Sequence, residues 1–95
     1  MKLPCVYIMA SRPGGTLYVG VTSDLIQRVA QHKSGELGGF TDRYQVKTLV
    51  WFEVHGAMEP AIVREKEIKK WRRDWKVDLI EADNPKWQDL YETIL

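Results

Sequence analysis

Residues 46–54 constrain the fold more than any other stretch. Inside them Leu49-Val50-Trp51-Phe52 is continuously apolar, with flanks rich in β-branched residues, and this pattern predicts a central strand screened from water. A chain of 95 residues has room for one core. The remaining segments must therefore cover that strand. With 44% hydrophobic residues and four Trp, the chain closes such a core without a staple. Cys5 stands alone and has no internal disulfide partner, so it reads as a small buried hydrophobe rather than a nucleophile. No apolar run approaches the ~20 residues that cross a bilayer. Met1-Lys2-Leu3-Pro4-Cys5 also lacks the pattern of a signal peptide. The expectation is one cytoplasmic domain, residues 1–95, with no membrane partner.

Around the strand, Cys5–Met9 and Leu17–Val21 are short β-rich runs separated by Pro13-Gly14-Gly15, which predicts a hairpin. Thr22, Ser23 and Asp24 offer capping oxygens to a helix whose apolar face is Leu25, Ile26, Val29 and Ala30 and which ends before Gly35. Gly38 to Asp42 reads as loop. A second helix starts near Ala57 to Pro60, where proline is tolerated, and runs to about Arg73. Helical pieces follow through Val77 to Glu81 and Lys86 to Tyr91. The order ββαβαα predicts an α+β domain, three strands covered by helices.

Charge is distributed unevenly along the chain. Residues 1–63, 64–76 and 77–95 carry net charges of +1, +4 and −4. Half of all Lys and Arg thus fall in thirteen residues, which marks Lys66, Lys69, Lys70, Arg72 and Arg73 as a candidate phosphate-binding face; the alternative is a solvated helix surface. Trp71 and Trp75 are interleaved with these charges. They can serve as core or as stacking platforms for bases.

Glu65 is the most informative single position. At 100° per residue, Met58, Ala61, Ile62 and Ile68 all lie within about 60° of it, so a carboxylate sits on the apolar stripe of its helix. Such a group needs a compensating cation: a metal ion, an Arg or a Lys. Arg28 and His32, four residues apart, stack on one face of the first helix, where a guanidinium and an imidazole can grip a phosphodiester and move a proton. Tyr7 and Tyr18 lie on the paired strands of the hairpin, with alternation that lets both hydroxyls emerge on one side. A phenol with an ordinary pKa of about 10 acts as a base near neutrality only if positive charge lowers that value. Arg28 and a cation on Glu65 are the expected sources.

Val6-Tyr7-Ile8, then Tyr18-Val19-Gly20, Thr22, Leu25, Arg28, His32 and Glu65, resemble the core motif of the GIY-YIG nuclease superfamily over nearly the whole chain. The closing stretch from Arg64 to Arg73, followed by Asn84-Pro85-Lys86-Trp87, resembles the small stand-alone bacterial single-domain branch described as endonucleases. The resemblance implies a three-stranded antiparallel sheet flanked by helices, a single Mg²⁺ or Mn²⁺ ion, and hydrolysis of phosphodiester bonds in DNA, with RNA also open. Position by position it implies Tyr7 and Tyr18 as the motif tyrosines, Gly20 for close approach, Arg28 as the catalytic arginine, His32 as accessory histidine and Glu65 as metal ligand. In the mechanism these residues suggest, one of the two tyrosines activates water, Tyr7 being the first choice, while Tyr18 positions the water or phosphate. Val6 replaces the first motif glycine, Val21 stands where nuclease members often carry lysine, and Lys76 stands where some relatives carry asparagine. The expected role is cleavage of structured or single-stranded DNA in repair or processing, with a protein partner supplying specificity. The alternatives are a nucleic-acid-binding module with weak or lost catalysis, and a protein-interaction domain using exposed tryptophans.

Overall fold

A computed structural model describes residues 2–95. Three strands, β1 (Cys5–Ala10), β2 (Leu17–Thr22) and β3 (Thr48–Val54), form an antiparallel sheet in the order β2-β1-β3. The helices are α1 (Leu25–Ser34), α2 (Gly39–Arg43), α3 (Met58–Lys70), α4 (Arg73–Asp83) and α5 (Tyr91–Ile94). Among the described residues, no helix is long and apolar enough to cross a membrane.

Strand alternation divides the apolar residues into two layers. Val6, Ile8 and Ala10 of β1 pack with Ala61, Ile68 and Ile80 on the α3/α4 side, while Cys5, Tyr7 and Met9 pack with Leu25, Val29 and Ile94 on the α1/α5 side. Each fully buried aliphatic side chain in these layers contributes about 1.5–3 kcal/mol.

The sequence expectation of β3 as the central strand is corrected: β1 is central and β3 lies at an edge. Two features explain why an edge strand is so apolar. A bulge lets Ile8 pair with Trp51 and Met9 with Leu49, so Val50 and Trp51 both join the α3/α4 layer while Leu49 and Phe52 join the other. The outer edge is also capped near its start, because Leu90 N donates to Leu49 O at 2.8 Å, Leu49 N to Asp89 Oδ1 at 3.2 Å, and Asn84 Nδ2 to Val50 O at 3.1 Å.

The helices differ from expectation in three places. Gly39–Arg43 is a short helix rather than loop. The helix expected to reach Arg73 stops at Lys70, with Trp71 and Arg72 extended (ψ 152° and 155°) before α4 restarts. Residues 86–90 are not helical, because Trp87 takes φ 55° and the Asn84 amide group grips both Gln88 N and Gln88 O. The last helix begins only at Tyr91.

Candidate active site

The hairpin register sets Tyr7 opposite Gly20 and Tyr18 opposite Met9, which makes the two tyrosines diagonal neighbours on one face. Gly20 has a steric duty. A Cβ there would stand 2.5 Å from both Cζ and the hydroxyl of Tyr7, so the phenol lies across the edge strand only because glycine leaves the space.

Chain direction into α1 is fixed by an interlocked turn. Thr22 Oγ1 accepts from Asp24 N at 3.0 Å, and Asp24 Oδ1 caps the helix by accepting from Gln27 N at 3.2 Å. From that start, Leu25 and Val29 point into the core and Arg28 and His32 point toward the tyrosines. Ring centroids are 6.3 Å apart for Tyr7 and Tyr18, 5.7 Å for Tyr7 and His32, and 5.3 Å for Tyr18 and His32. The Tyr7 hydroxyl lies 2.9 Å from His32 Nε2, and His32 Nδ1 lies 3.1 Å from Thr41 Oγ1.

This buried chain of Tyr7, His32 and Thr41 is electrically neutral. Burial lowers the His32 pKa, with the Arg28 charge acting in the same direction, so one ring nitrogen donates and the other accepts. Burial raises the Tyr7 pKa well above its ordinary value, and Tyr18 and Glu65 add to the rise. Arg28 opposes them by its charge and as a hydrogen-bond donor, but burial is the larger effect. The sequence expectation of a lowered Tyr7 pKa is thereby reversed in this protein without a bound cation. Tyr18 is only partly buried.

Glu65 faces inward from α3 beside Ala61 and Ile68, at 8% exposure. Its Oε2 is 2.9 Å from Nζ of Lys69, whose side chain is half-exposed. Helix α3 packs against β1 and β2 on the face opposite α1, yet the Glu65 charge is felt at Tyr7. The two halves of the site thus come from opposite faces of the sheet. Among the described residues, no group of three or more His, Cys, Asp or Glu is arranged to hold a metal. A lone carboxylate with a cation already beside one oxygen suits an ion that takes its other ligands from water and substrate, as magnesium does.

The basic residues of the 64–76 segment have separate fates. Lys66 and Lys70 are exposed. Lys69 engages Glu65, and Arg72 pairs with Asp74 at 3.3 Å while its guanidinium lies over Trp75. Arg73 donates to Gly14 O at 2.9 Å and Gly15 O at 2.6 Å, tying the start of α4 to the β1–β2 turn. Val21 packs into the apolar layer under α3 and puts no cation there. Asn84 is buried and spent on backbone partners. Thr41 is the residue that sequence reasoning misses: no local motif links it to His32, and only the short α2 helix, entered through Gly38 and Gly39 at positive φ, brings its hydroxyl to the ring.

A sequence model of the GIY-YIG catalytic domain matches residues 3–78. A UPF0213 protein of Haloquadratum walsbyi is 38% identical over 66 residues, 70% of this chain and 74% of that protein. One from Staphylococcus haemolyticus is 33% identical over 76 residues, 80% and 92% respectively. The solution NMR structure of a UPF0213 protein from Bacillus halodurans resembles this fold with a TM-score of 0.56 and 27% identity, over 90% of both chains. With that family model matched over residues 3–78, most of its length, the chain belongs to the GIY-YIG catalytic domain family.

Proposed function

We propose that this protein is a divalent-metal-dependent endonuclease that hydrolyses phosphodiester bonds in DNA, in repair or processing. The observation that carries the reading is the convergence of Tyr7, Tyr18, Arg28 and His32, with the Glu65 charge reaching the same phenol. Glu65 would hold Mg²⁺ or Mn²⁺, displacing the half-exposed Lys69 ammonium. An ion bound there supplies neutralisation of charge at the departing oxygen.

The two phenols divide the work according to their burial. Tyr7 has no exposed surface and is held neutral, whereas Tyr18 is within reach of solvent. Tyr18 therefore contacts the attacking water, in place of Tyr7, the first choice on sequence grounds. Tyr7, braced by His32 and Thr41, stands within the influence of Arg28, whose charge acts on its hydroxyl. Arg28 has five N–H donors for the non-bridging phosphate oxygens, where charge accumulates in the transition state.

The test is a cleavage screen over single-stranded, duplex, flap and junction DNA and the matching RNA, in Mg²⁺, Mn²⁺ and EDTA. The expected result is metal-dependent cleavage that Arg28→Ala and Glu65→Gln each reduce about a hundredfold or more. Tyr18→Phe should cost more than Tyr7→Phe. Undiminished cleavage by Glu65→Gln refutes the assignment. The Glu65–Lys69 ion pair and the apolar Val21 favour a second reading, a nucleic-acid-binding module without catalysis. Binding that persists while every substrate stays intact in both metals would establish it.

A further inference from the structure

At the elbow between α3 and α4 the chain leaves a large aromatic surface in solvent. Trp71 and Trp75 meet edge to face, with centroids 6.1 Å apart and planes at 78°, and Trp75 is 49% exposed. Together with Leu79 and Asp78 they line an open groove of about 390 Å³. That volume lies within the ~300–1,000 Å³ range of small-ligand sites. Each indole already carries a guanidinium on one face, Arg64 at 5.3 Å from the Trp71 centroid and Arg72 at 5.0 Å from that of Trp75.

The chemistry of lining and rim selects the occupant. The basic stretch that supplies both indoles, residues 64–76, has a net charge of +4 and attracts a polyanion through Lys66, Lys70 and Lys76, since Arg64 is paired with Glu53 and Arg72 with Asp74. Inside the groove, however, the one charged lining residue is Asp78, whose carboxylate repels phosphate and accepts N–H donors. Aromatic walls, an acceptor within and cations outside describe a seat for a nucleobase whose phosphates stay on the rim. Two carboxylate oxygens match two adjacent donors. Guanine presents N1–H and N2–H side by side; adenine and cytosine set an acceptor next to their donor, and thymine flanks its single N–H with carbonyls.

We propose that the Trp71–Trp75 groove binds an unpaired guanine in a single-stranded segment beside the bond to be cut. The proposal rests on the nuclease reading and names its substrate class. The base must be unpaired, because pairing occupies the edge that Asp78 would read. Trp71 comes directly after the last residue of α3, Lys70, which stands five residues beyond Glu65, a rise of about 7.5 Å along the helix, or about two stacked nucleotides.

The test is equilibrium binding of the full chain to 5′-fluorescein octathymidylate and to the same oligonucleotide with one central dG, by anisotropy in EDTA. Wild type should prefer the dG oligonucleotide by about tenfold. Trp75→Ala should weaken binding of it by about tenfold, the lower part of the effect of losing one stacked base. Asp78→Asn should remove the dG preference and leave octathymidylate affinity no weaker. Both positions are exposed, and unchanged far-UV circular dichroism would show that the variants fold. Equal affinity of wild type for the two oligonucleotides overturns the proposal, as does binding indifferent to Trp75→Ala. If Trp75→Ala instead reduces self-association in sedimentation while oligonucleotide binding is untouched, the groove is a protein contact and the proposal falls. Because no divalent ion is present, a chain that never cleaves still passes this test, and one that cleaves can fail it.

Discussion

Gly20 and Tyr7 face each other across the hairpin so closely that a methyl group on the glycine would stand 2.5 Å from the phenol hydroxyl. Gly20→Ala must therefore displace a wholly buried ring, and overpacking of this kind costs about 1–3 kcal/mol. Chemical denaturation should register that loss, and cleavage should fall further than stability because the hydroxyl leaves His32. In the Gly20→Ala/Tyr7→Phe double variant, only a small part of the stability should return, since the hydroxyl is gone but Cζ, at the same 2.5 Å from the methyl, remains.

The neutral Tyr7–His32 pair gives stability a defined pH dependence. His32 has a folded pKa below its unfolded value of about 6.5. At pH values between the two, the unfolded chain binds the extra proton, so stability is full above about 6.5 and is lost as pH falls toward the folded pKa. For Tyr7 the shift is upward, so its contribution is full below about 10 and is lost as pH rises beyond it. Thermal melts of wild type and His32→Gln should diverge above pH 6.5 and converge in acid. Parallel curves through that range would contradict the assignment.

Thr41 acts through His32 rather than on substrate. Thr41→Val keeps the shape and leaves Nδ1 of a buried imidazole without its partner, a loss of about 1–3 kcal/mol. Cleavage should fall about tenfold with a displaced pH profile, and Thr41→Ser should restore both. If valine lowers stability but leaves the profile in place, Thr41 is only structural.

Lys69 competes for the Glu65 carboxylate. Because its side chain is half-exposed, the pair is worth about 0.2–1 kcal/mol. Lys69→Gln should therefore reduce the Mg²⁺ concentration for half-maximal cleavage by no more than about fivefold, whereas Glu65→Gln should abolish the response. Titration of Mn²⁺ by electron paramagnetic resonance reads the same competition without turnover.

The cationic segment is functionally mixed, and salt dependence separates its members. Replacing Lys66 and Lys70 together should flatten the plot of log affinity against log salt by about 0.7–0.9 for each phosphate no longer neutralised. Arg73→Ala should instead lower the melting temperature, because that guanidinium holds the Gly14 and Gly15 carbonyls.

What the sequence discloses and what it hides follow from the range of the interactions. The hairpin, the Asp24 cap and the end of α1 before Gly35 are set by neighbours in sequence, and all three are where the residue pattern puts them. The inward turn of Glu65 follows from helical period alone. Strand order is different: β1 and β3 are both apolar runs, and β3 is screened by residues some forty positions later, a pairing no local pattern encodes. The break after Lys70 belongs to the same class, since Arg73 is held by a turn nearly sixty residues earlier. Thr41 escapes notice because a threonine between two glycines and an arginine looks like any loop residue until His32 is placed beside it.

The clasp of Asp89 and Leu90 on Leu49 has one more consequence. Every candidate site residue precedes it, so a chain clipped after Gln88 retains those side chains but loses Ile94 from the layer that buries Tyr7, together with the cover on an apolar sheet margin. Freed N–H and C=O groups on so apolar a strand invite a second molecule to add its own, and such a fragment should come out of solution as aggregates.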